Sequence, residues 1–433
     1  MPQTPSFHSS HSFQPVSPVV IEPSMEEVSR PTRIQMDTFP GPSNSSNSEE
    51  PLSEYKLLGP FRNLIKITGL DCSLIALAQT DPSLVRRALI TRIFAIFIIV
   101  VIFFRCGMIF KATGAPISFQ WAESNMFAFM GIHTIVCAFC LFGWTKNAFI
   151  PKHLERLEVV RKLRLTKNPS LDDYSALHKR AWIWACLWFL CIMAHSIASA
   201  ISKKVITGGE EANMALTIFM PIATFLTCFV VTLCVIIYFL VNCQMTRELE
   251  QFNKDLEEAV KEKRLGDVEE SMKFAHRQAE LIRVVRIAND SLGSYASSAP
   301  IFCFYGFVNA IYVVSFENEL STPIFAILLF NLFAIIAMTV FTLRPASNVQ
   351  LQITDTSRIL MDCEEFQKSK SSELFQNYHI MIDRSLKTNT RIRVAGGIPI
   401  YQTTMNVSMF LIPNLGNILA LIRKVLLING VKV

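Results

Sequence analysis

Residues 229–260 read FVVTLCVIIYFLVNCQMTRELEQFNKDLEEAV, and the fold can be inferred from the change of pattern within these residues. Its first half belongs to an uncharged apolar segment, residues 215–243, which is longer than the roughly 20 residues that a helix needs to cross a bilayer. Its second half is charged, yet its apolar residues recur three and four positions apart, as on one face of a helix: Leu249, Phe252, Leu256 and Val260. The stretch therefore predicts a membrane span that continues beyond the bilayer as an amphipathic helix.

A second amphipathic segment follows and leads back to the membrane. The same spacing returns at five apolar positions: Met272, Ala275, Ala279, Ile282 and Val285. Between the two segments, Gly266 suits a left-handed helix C-cap, and Asp267 with Glu270 forms a capping-box pattern for a new helix. We expect a cytoplasmic helical hairpin over residues 244–295, whose arms extend the adjoining spans by roughly 30 Å each. Extensions of this length suit a platform for assembly, and the alternative is a solvated hairpin without a partner.

The chain of 433 residues is 51% hydrophobic and only 18% charged, and its apolar residues fall into seven long segments. Because lipid offers no partner to a backbone N–H or C=O group, each spanning segment must form a helix. The predicted fold is an all-α, polytopic membrane protein with a transmembrane domain over residues 88–422, in which the seventh segment is the least apolar. The seven spans are residues 88–110, 121–144, 181–202, 215–243, 296–316, 322–343 and 398–422.

The distribution of positive charge predicts the orientation. The loops after spans two, four and six are long and rich in Lys and Arg, whereas the three short loops carry few basic residues. The positive-inside rule places the N-terminus and the long loops in the cytoplasm. Seven spans then put the C-terminal tail, residues 423–433, outside, although this tail contains basic residues. The orientation is opposite to that of G-protein-coupled receptors, and the D/E-R-Y and N-P-x-x-Y signatures of that class are absent.

Two segments precede the first span. Residues 1–54 are rich in Ser and Pro and contain no apolar region typical of a secretory signal, so we expect a disordered cytoplasmic tail. Residues 55–87 form an amphipathic segment before the membrane. The net charge of +6 is concentrated next to the apolar segments, which predicts a multi-pass membrane protein with lipid as a partner and no nucleic acid.

The approach to span one carries a family resemblance. Residues 57–70 read LLGPFRNLIKITGL, an amphipathic stretch ending in Gly-Leu. Together with the inverted topology and the long extensions of spans four and five, it resembles the insect gustatory and odorant receptor superfamily. The Ser/Pro-rich tail and the loop pattern resemble its nematode branch, the gustatory-like receptors and the serpentine receptor class r proteins. The superfamily's span-seven motif, Thr-Tyr followed by five apolar residues and Gln-Phe, is absent.

The resemblance implies a chemosensory, ligand-gated and non-selective cation channel of the plasma membrane. It also implies a homo- or hetero-oligomer, with four subunits. Its cytoplasmic helices would pack around a central axis, and span seven would line the pore. A small molecule or another sensory stimulus would act on the outer halves of the remaining spans.

Polar side chains within the spans are candidates for ligand contacts, because such groups are costly in lipid and default to functional roles. A pocket with apolar walls and a few polar groups is the usual small-molecule site. The alternative for each residue is a hydrogen bond between helices. We expect Glu123 to be solvated near the outer surface and Arg105 to extend to the membrane interface. The candidate ligand-binding residues are Trp121, His133, His195, Ser196, Asn309, Tyr312 and Phe325.

Span seven offers the candidate pore. A water-filled path needs polar side chains that face one way, and four residues recur close to one helical face: Gln402, Asn406, Pro413 and Asn417. The alternative is that these polar groups bond neighbouring helices.

No catalytic constellation is present, so we predict that the chain is not an enzyme and needs no cofactor. The P-loop, GxSxG and HExxH motifs are absent. Cys137 and Cys140 have CxxC spacing but lack a second pair of ligands, so no metal is predicted. Two functions remain open: a ligand-gated channel, and a non-conducting seven-helix receptor that signals through cytoplasmic partners. The polar face of span seven and the hairpin favour the first, and the missing span-seven motif favours the second.

Overall fold

The computed structural model describes residues 52–73, 84–111, 118–165, 169–202, 214–316, 321–368, 370–388, 393–394, 398–399 and 402–428. The predicted disordered tail, residues 1–54, lies almost entirely outside the described residues. The same holds for the last five residues of the C-terminal tail.

Within the described part the chain is helical, and six helices are long and apolar enough, by length and composition, to cross a membrane. They are α3 (Val85–Lys111), α4 (Phe119–Lys146), α6 (Ser175–Ser202), α7 (Met214–Lys261), α8 (Val268–Val314) and α9 (Thr322–Met361). The chain is therefore an all-α multi-pass membrane protein.

Shorter elements surround these helices. They are α1 (Glu54–Leu58), α2 (Phe61–Ile67), α5 (Phe149–Lys162), α10 (Glu364–Lys368), α11 (Ser372–Lys387), the antiparallel pair β1 (Arg393–Val394) and β2 (Ile398–Pro399), the last helix α12 (Gln402–Ile428), and 3₁₀ turns at Pro169–Asp172 and Arg264–Gly266.

The long pair α7 and α8 builds the hairpin. The two helices contain 48 and 47 residues, so each is about 70 Å long and exceeds the roughly 30 Å of a bilayer core. Asp267 caps α8 by accepting the Glu269 amide. The left-handed residue of the turn is Lys263, with φ 59°. The expectation that Gly266 takes this conformation is wrong, because α7 already ends at Lys261 and the chain reverses earlier.

The hairpin of α7 and α8 is joined by a third helix that the sequence does not predict there. Helix α9 also continues beyond its predicted membrane span. The pattern predicts a loop from residue 344 onward, yet α9 continues to Met361. Val349 and Ile353 are buried against the hairpin core, and Asn253 Nδ2 donates to the Gln352 carbonyl at 2.9 Å. These contacts stabilise the continuation of α9. Its apolar spacing is not evident in the sequence, because charged and polar residues lie between the apolar positions.

Helix α12 coincides with the predicted seventh span but is not one of the six helices above, so the count of seven and the orientation stay predictions. Gly416 packs against Ile311 of α8, and the Arg423 guanidinium lies 3.7 Å from the centre of the Phe316 ring. From the first of these contacts to the second, the residue numbers increase in both partners. Helix α12 therefore runs parallel to the second half of α8 and ends away from the hairpin.

Candidate ligand site and pore helix

A group of polar side chains joins α4, α6 and α9 inside the bundle. His195 Nε2 lies 2.8 Å from Glu123 Oε1, and Asn331 Nδ2 lies 2.5 Å from His195 Nδ1. In this orientation the amide nitrogen of Asn331 donates to Nδ1, an arrangement in which Nε2 of His195 donates to the Glu123 carboxylate. All three side chains are buried. The expectation that Glu123 is solvated is wrong, because His195 of α6 covers it.

A second set of contacts continues this group to α3 and α7. Arg105 donates from Nε and Nη2 to Thr224 Oγ1 at 3.2 and 3.0 Å, and Ser196 Oγ donates to the same oxygen at 3.1 Å. Arg105 is 1% exposed, so the expectation that it extends to the interface is wrong, since Thr224 holds it inside the bundle. We call the six residues the polar layer: Arg105, Glu123, His195, Ser196, Thr224 and Asn331.

A narrow cavity lies between α4, α6, α8 and α9 and contains two predicted ligand residues, His133 and Asn309. It measures about 20 Å³, which is room for about one water molecule. His133 and Asn309 are 5% and 7% exposed, yet His133 Nε2 and Asn309 Nδ2 have no hydrogen-bond partner among the described residues. The His133 ring stacks on Phe302 at 4.4 Å. The rest of the wall is almost entirely apolar: Met126, Phe129, Met130, Trp188, Phe302, Gly306, Ile335 and Met338.

Aromatic rings link α4 to the end of α8. Trp121 meets Tyr312 edge to face at 6.4 Å, and Tyr312 meets Phe316 in the same way at 5.4 Å. Phe316 is the ring under Arg423 of α12. This aromatic cluster therefore connects two predicted ligand residues with the predicted pore helix.

The structure places the seven predicted ligand residues in different surroundings. His133 and Asn309 share the cavity, His195 and Ser196 belong to the polar layer, and Trp121 and Tyr312 belong to the aromatic cluster. Phe325 is half-buried in the first turn of α9 and joins none of these groups.

Sequence reasoning missed Asn331, Thr224 and Phe302. A signal for Asn331 exists, because it is the one polar residue in the apolar stretch AILLFNLFAIIA of residues 326–337. Thr224 and Phe302 resemble ordinary residues of a membrane span, so no local pattern distinguishes them.

The four predicted pore residues lie on α12. Asn406 and Asn417 are exposed on this chain, as a residue facing a pore or another subunit must be. The side chains of Gln402 and Pro413 lie outside the described part. No group of three or more His, Cys, Asp or Glu residues that could hold a metal ion occurs in the described part.

The fold is similar to solved structures of a membrane receptor. One is the insect olfactory receptor OR5 from Machilis hrabei, with a TM-score of 0.55 and 10% identity over 83% of this chain and 97% of that chain. The same receptor in complex with eugenol gives a TM-score of 0.56 and 11% identity over 84% and 98% of the two chains. No curated protein sequence matches the chain. At this identity the similarity shows the fold, which is that of an insect olfactory receptor.

The sequence also matches a family. Residues 57–416 fit the family described as Caenorhabditis protein of unknown function, DUF267, and the chain belongs to it. The predicted resemblance to the insect receptor superfamily is confirmed at the level of fold. The finer assignment to the nematode gustatory-like or serpentine receptor class r proteins stays a prediction, because this family carries neither name.

Proposed function

We propose that the protein is a chemosensory receptor of the plasma membrane that acts as a ligand-gated cation channel. The fold supports this, since the structures it resembles are those of an olfactory receptor, one of them with a small organic molecule bound. The proposal places the N-terminus and the hairpin in the cytoplasm and makes the active form a tetramer. It also assigns the chain to the nematode branch of the superfamily and makes it a receptor and not an enzyme.

The observation that carries the proposal is the pair of unsatisfied polar atoms in the cavity. A buried polar group without a partner costs about 1–3 kcal/mol, so His133 Nε2 and Asn309 Nδ2 together favour a ligand that restores both hydrogen bonds. Asn309 Nδ2 donates, and so it selects a ligand oxygen. The apolar walls select an organic body of low polarity. The ligand class is therefore a small apolar molecule with a hydroxyl or carbonyl group.

The cavity must widen before such a molecule fits. Three of its walls are Met126, Met130 and Met338, whose unbranched side chains adapt easily to new shapes. Widening at Asn309 moves α8, which carries Tyr312 about one turn later and ends at Val314, two residues before Phe316. Because Arg423 of α12 stacks on Phe316, a shift of α8 reaches the predicted pore helix directly.

The pore would form where four copies of α12 meet. Asn406 and Asn417 would supply polar groups to the water-filled path, with Gln402 and Pro413 on the same helical face.

Current recordings from cells that express the full-length protein test the proposal. In a screen of small alcohols, phenols and ketones, we expect an agonist to evoke a cation current. Asn406→Leu and Asn417→Leu should change conductance at saturating agonist, and Asn309→Leu should shift the agonist concentration for half-maximal current. Unchanged current in both pore variants would refute the role of α12. Binding of an agonist without any current would favour the second function, a receptor that signals through cytoplasmic partners.

A further inference from the structure

A second cavity lies at the opposite end of the bundle from the aromatic cluster, and the proposed ligand site does not use it. Helices α1 and α2 and the segment to Ser73 cover the end of α4, the start of α5 and the middle of α7 there. The cavity measures about 60 Å³, three times the volume of the one beside His133.

The N-terminal segment that closes this cavity is firmly attached to the bundle. Thr145 Oγ1 donates to the Leu70 carbonyl at 2.9 Å and accepts from the Cys72 amide at 3.0 Å. His178 Nε2 lies 2.9 Å from the Leu57 carbonyl, and the ring of Phe61 lies 4.9 Å from that of Trp182. The cavity is therefore a built feature of the fold.

The floor and the mouth of the cavity differ in chemistry. The floor is apolar and buried: Leu58, Ile65, Leu141, Trp144, Ile150 and Ile237. The mouth carries the charged side chains Glu54, Arg62 and Asp71 and the hydroxyl of Ser73. A guest for this cavity needs an apolar chain and a charged head group.

The charges at the mouth specify the head group. Arg62 binds Glu54 at 2.7 Å through Nε alone, which leaves its two terminal amino groups without a partner among the described residues. Asp71 Oδ1 accepts the Ser73 amide at 3.1 Å, and its other oxygen has no partner in that part of the chain. A guanidinium group matches a phosphate and a carboxylate matches an ammonium group, so the mouth offers one site for each charge of a zwitterion.

Two groups lie close to Asp71. The exposed Lys146 follows the lining residue Thr145 and acts on the charge of the Cys72 thiol, next to Asp71. The pKa of Cys72 is raised to about 11, first by burial and then by the Asp71 carboxylate. Cys72 is thus neutral, and the charged side chains that line the mouth are the carboxylates of Glu54 and Asp71 and the guanidinium of Arg62.

We propose that this cavity, between the α1–α2 segment, the end of α4 and the middle of α7, binds one zwitterionic phospholipid of the cytoplasmic leaflet. The cavity of about 60 Å³ widens to admit an acyl chain, which then occupies the apolar floor. Arg62 donates to the phosphate, and Asp71 accepts from the ammonium group. In the proposed orientation the mouth lies level with the inner membrane surface, where such lipids are present.

Native mass spectrometry of the full-length protein, purified in mild detergent, tests this site. The protein is offered phosphatidylethanolamine, phosphatidylcholine, phosphatidylglycerol and a long-chain alkyl amine, which separate a zwitterionic lipid from an anionic lipid and from a free amine. We expect one zwitterionic lipid per chain to be retained. Arg62→Ala and Asp71→Ala should each reduce retention about tenfold, the effect of losing one hydrogen bond to a charged group.

Two further variants complete the test. Lys66→Ala changes an exposed residue of the same helix that does not line the cavity, and it should retain lipid as the wild type does. Ile65→Trp fills the floor and should exclude the lipid, with thermal unfolding as the check that the variant folds. Equal retention by wild type, Arg62→Ala and Asp71→Ala would overturn the proposal. So would equal retention of phosphatidylglycerol, preference for the alkyl amine, or no retained lipid at all.

Discussion

The close contact between α12 and α8 at Gly416 yields the sharpest prediction. A Cβ atom at this position would lie 2.7 Å from Ile311 Cγ2, 2.8 Å from Ile311 Cβ and 3.2 Å from the Val308 carbonyl oxygen. Neither the branched Cβ of Ile311 nor a backbone oxygen can move away alone. Gly416→Ala must therefore push the two helices apart.

The expected magnitude follows from two opposing effects. Adding a methyl group to a well-packed contact costs about 1–3 kcal/mol, while replacing Gly by Ala within a helix gains roughly 0.5–1 kcal/mol. The net effect is a loss of about 1–2 kcal/mol in the packing of α12, which corresponds to a roughly tenfold larger population in which this helix is open. The stacking of Arg423 on Phe316 should weaken with it.

Hydrogen–deuterium exchange of the purified protein measures this opening. Exchange should accelerate in α12 and at the end of α8, and not in α3 or α4. Gly107→Ala and Gly293→Ala are matched controls, since a Cβ at either position meets nothing within 4 Å; both should leave α12 unchanged. If Gly416→Ala exchanges as slowly as wild type, α12 does not pack against α8 as described.

Three further predictions concern other parts of the molecule. Asp255→Ala should lower the unfolding free energy by about 3–5 kcal/mol, because the buried Arg277 loses the carboxylate that lies 2.5 Å away. In denaturant titrations, the double variant Asp255→Leu/Arg277→Met should recover most of this loss. Burial lowers the pKa of His153 from 6.5 to about 4, so the folded state disfavours protonation of this residue. The free energy of unfolding should therefore fall by up to about 3 kcal/mol as the pH drops from 6.5 towards 4. Thermal unfolding at several pH values should show this loss, and His153→Gln should abolish it. Asn309→Leu should weaken the response to an oxygen-containing agonist about tenfold. Thermal stability should not fall, because the substitution also removes an unsatisfied donor. A response equal to that of the wild type would exclude Asn309 from the site.

The long helices α7 and α8 could be predicted because their apolar residues keep helical spacing beyond the uncharged segments. The same reasoning missed the end of α9 and all of α5. There the apolar positions, such as Val349, Ile353 and Leu157, are interspersed with polar and charged residues. Their burial depends on the hairpin and its neighbours, and tertiary contacts of this kind leave little trace in local sequence.

The sequence allowed several residues of the site to be named, but it did not predict which of them lie close together. Composition identifies polar residues in apolar segments, which is why His133, His195 and Asn309 could be named. Which of them meet depends on how each helix is rotated and which helices are neighbours. Arg105 shows the limit most clearly, since its position near the end of a span favours the interface, while one hydroxyl group on α7 keeps it inside.

The claim that this chain is a ligand-gated cation channel can be tested by measuring its conductance in a defined membrane. Purified full-length protein in planar bilayers should show agonist-dependent single-channel currents in Na⁺ and K⁺ solutions, with little selectivity between the two ions. Asn417→Leu should reduce the single-channel conductance while the agonist concentration dependence stays the same. Bilayers that contain folded, agonist-binding protein and carry no current would contradict the claim.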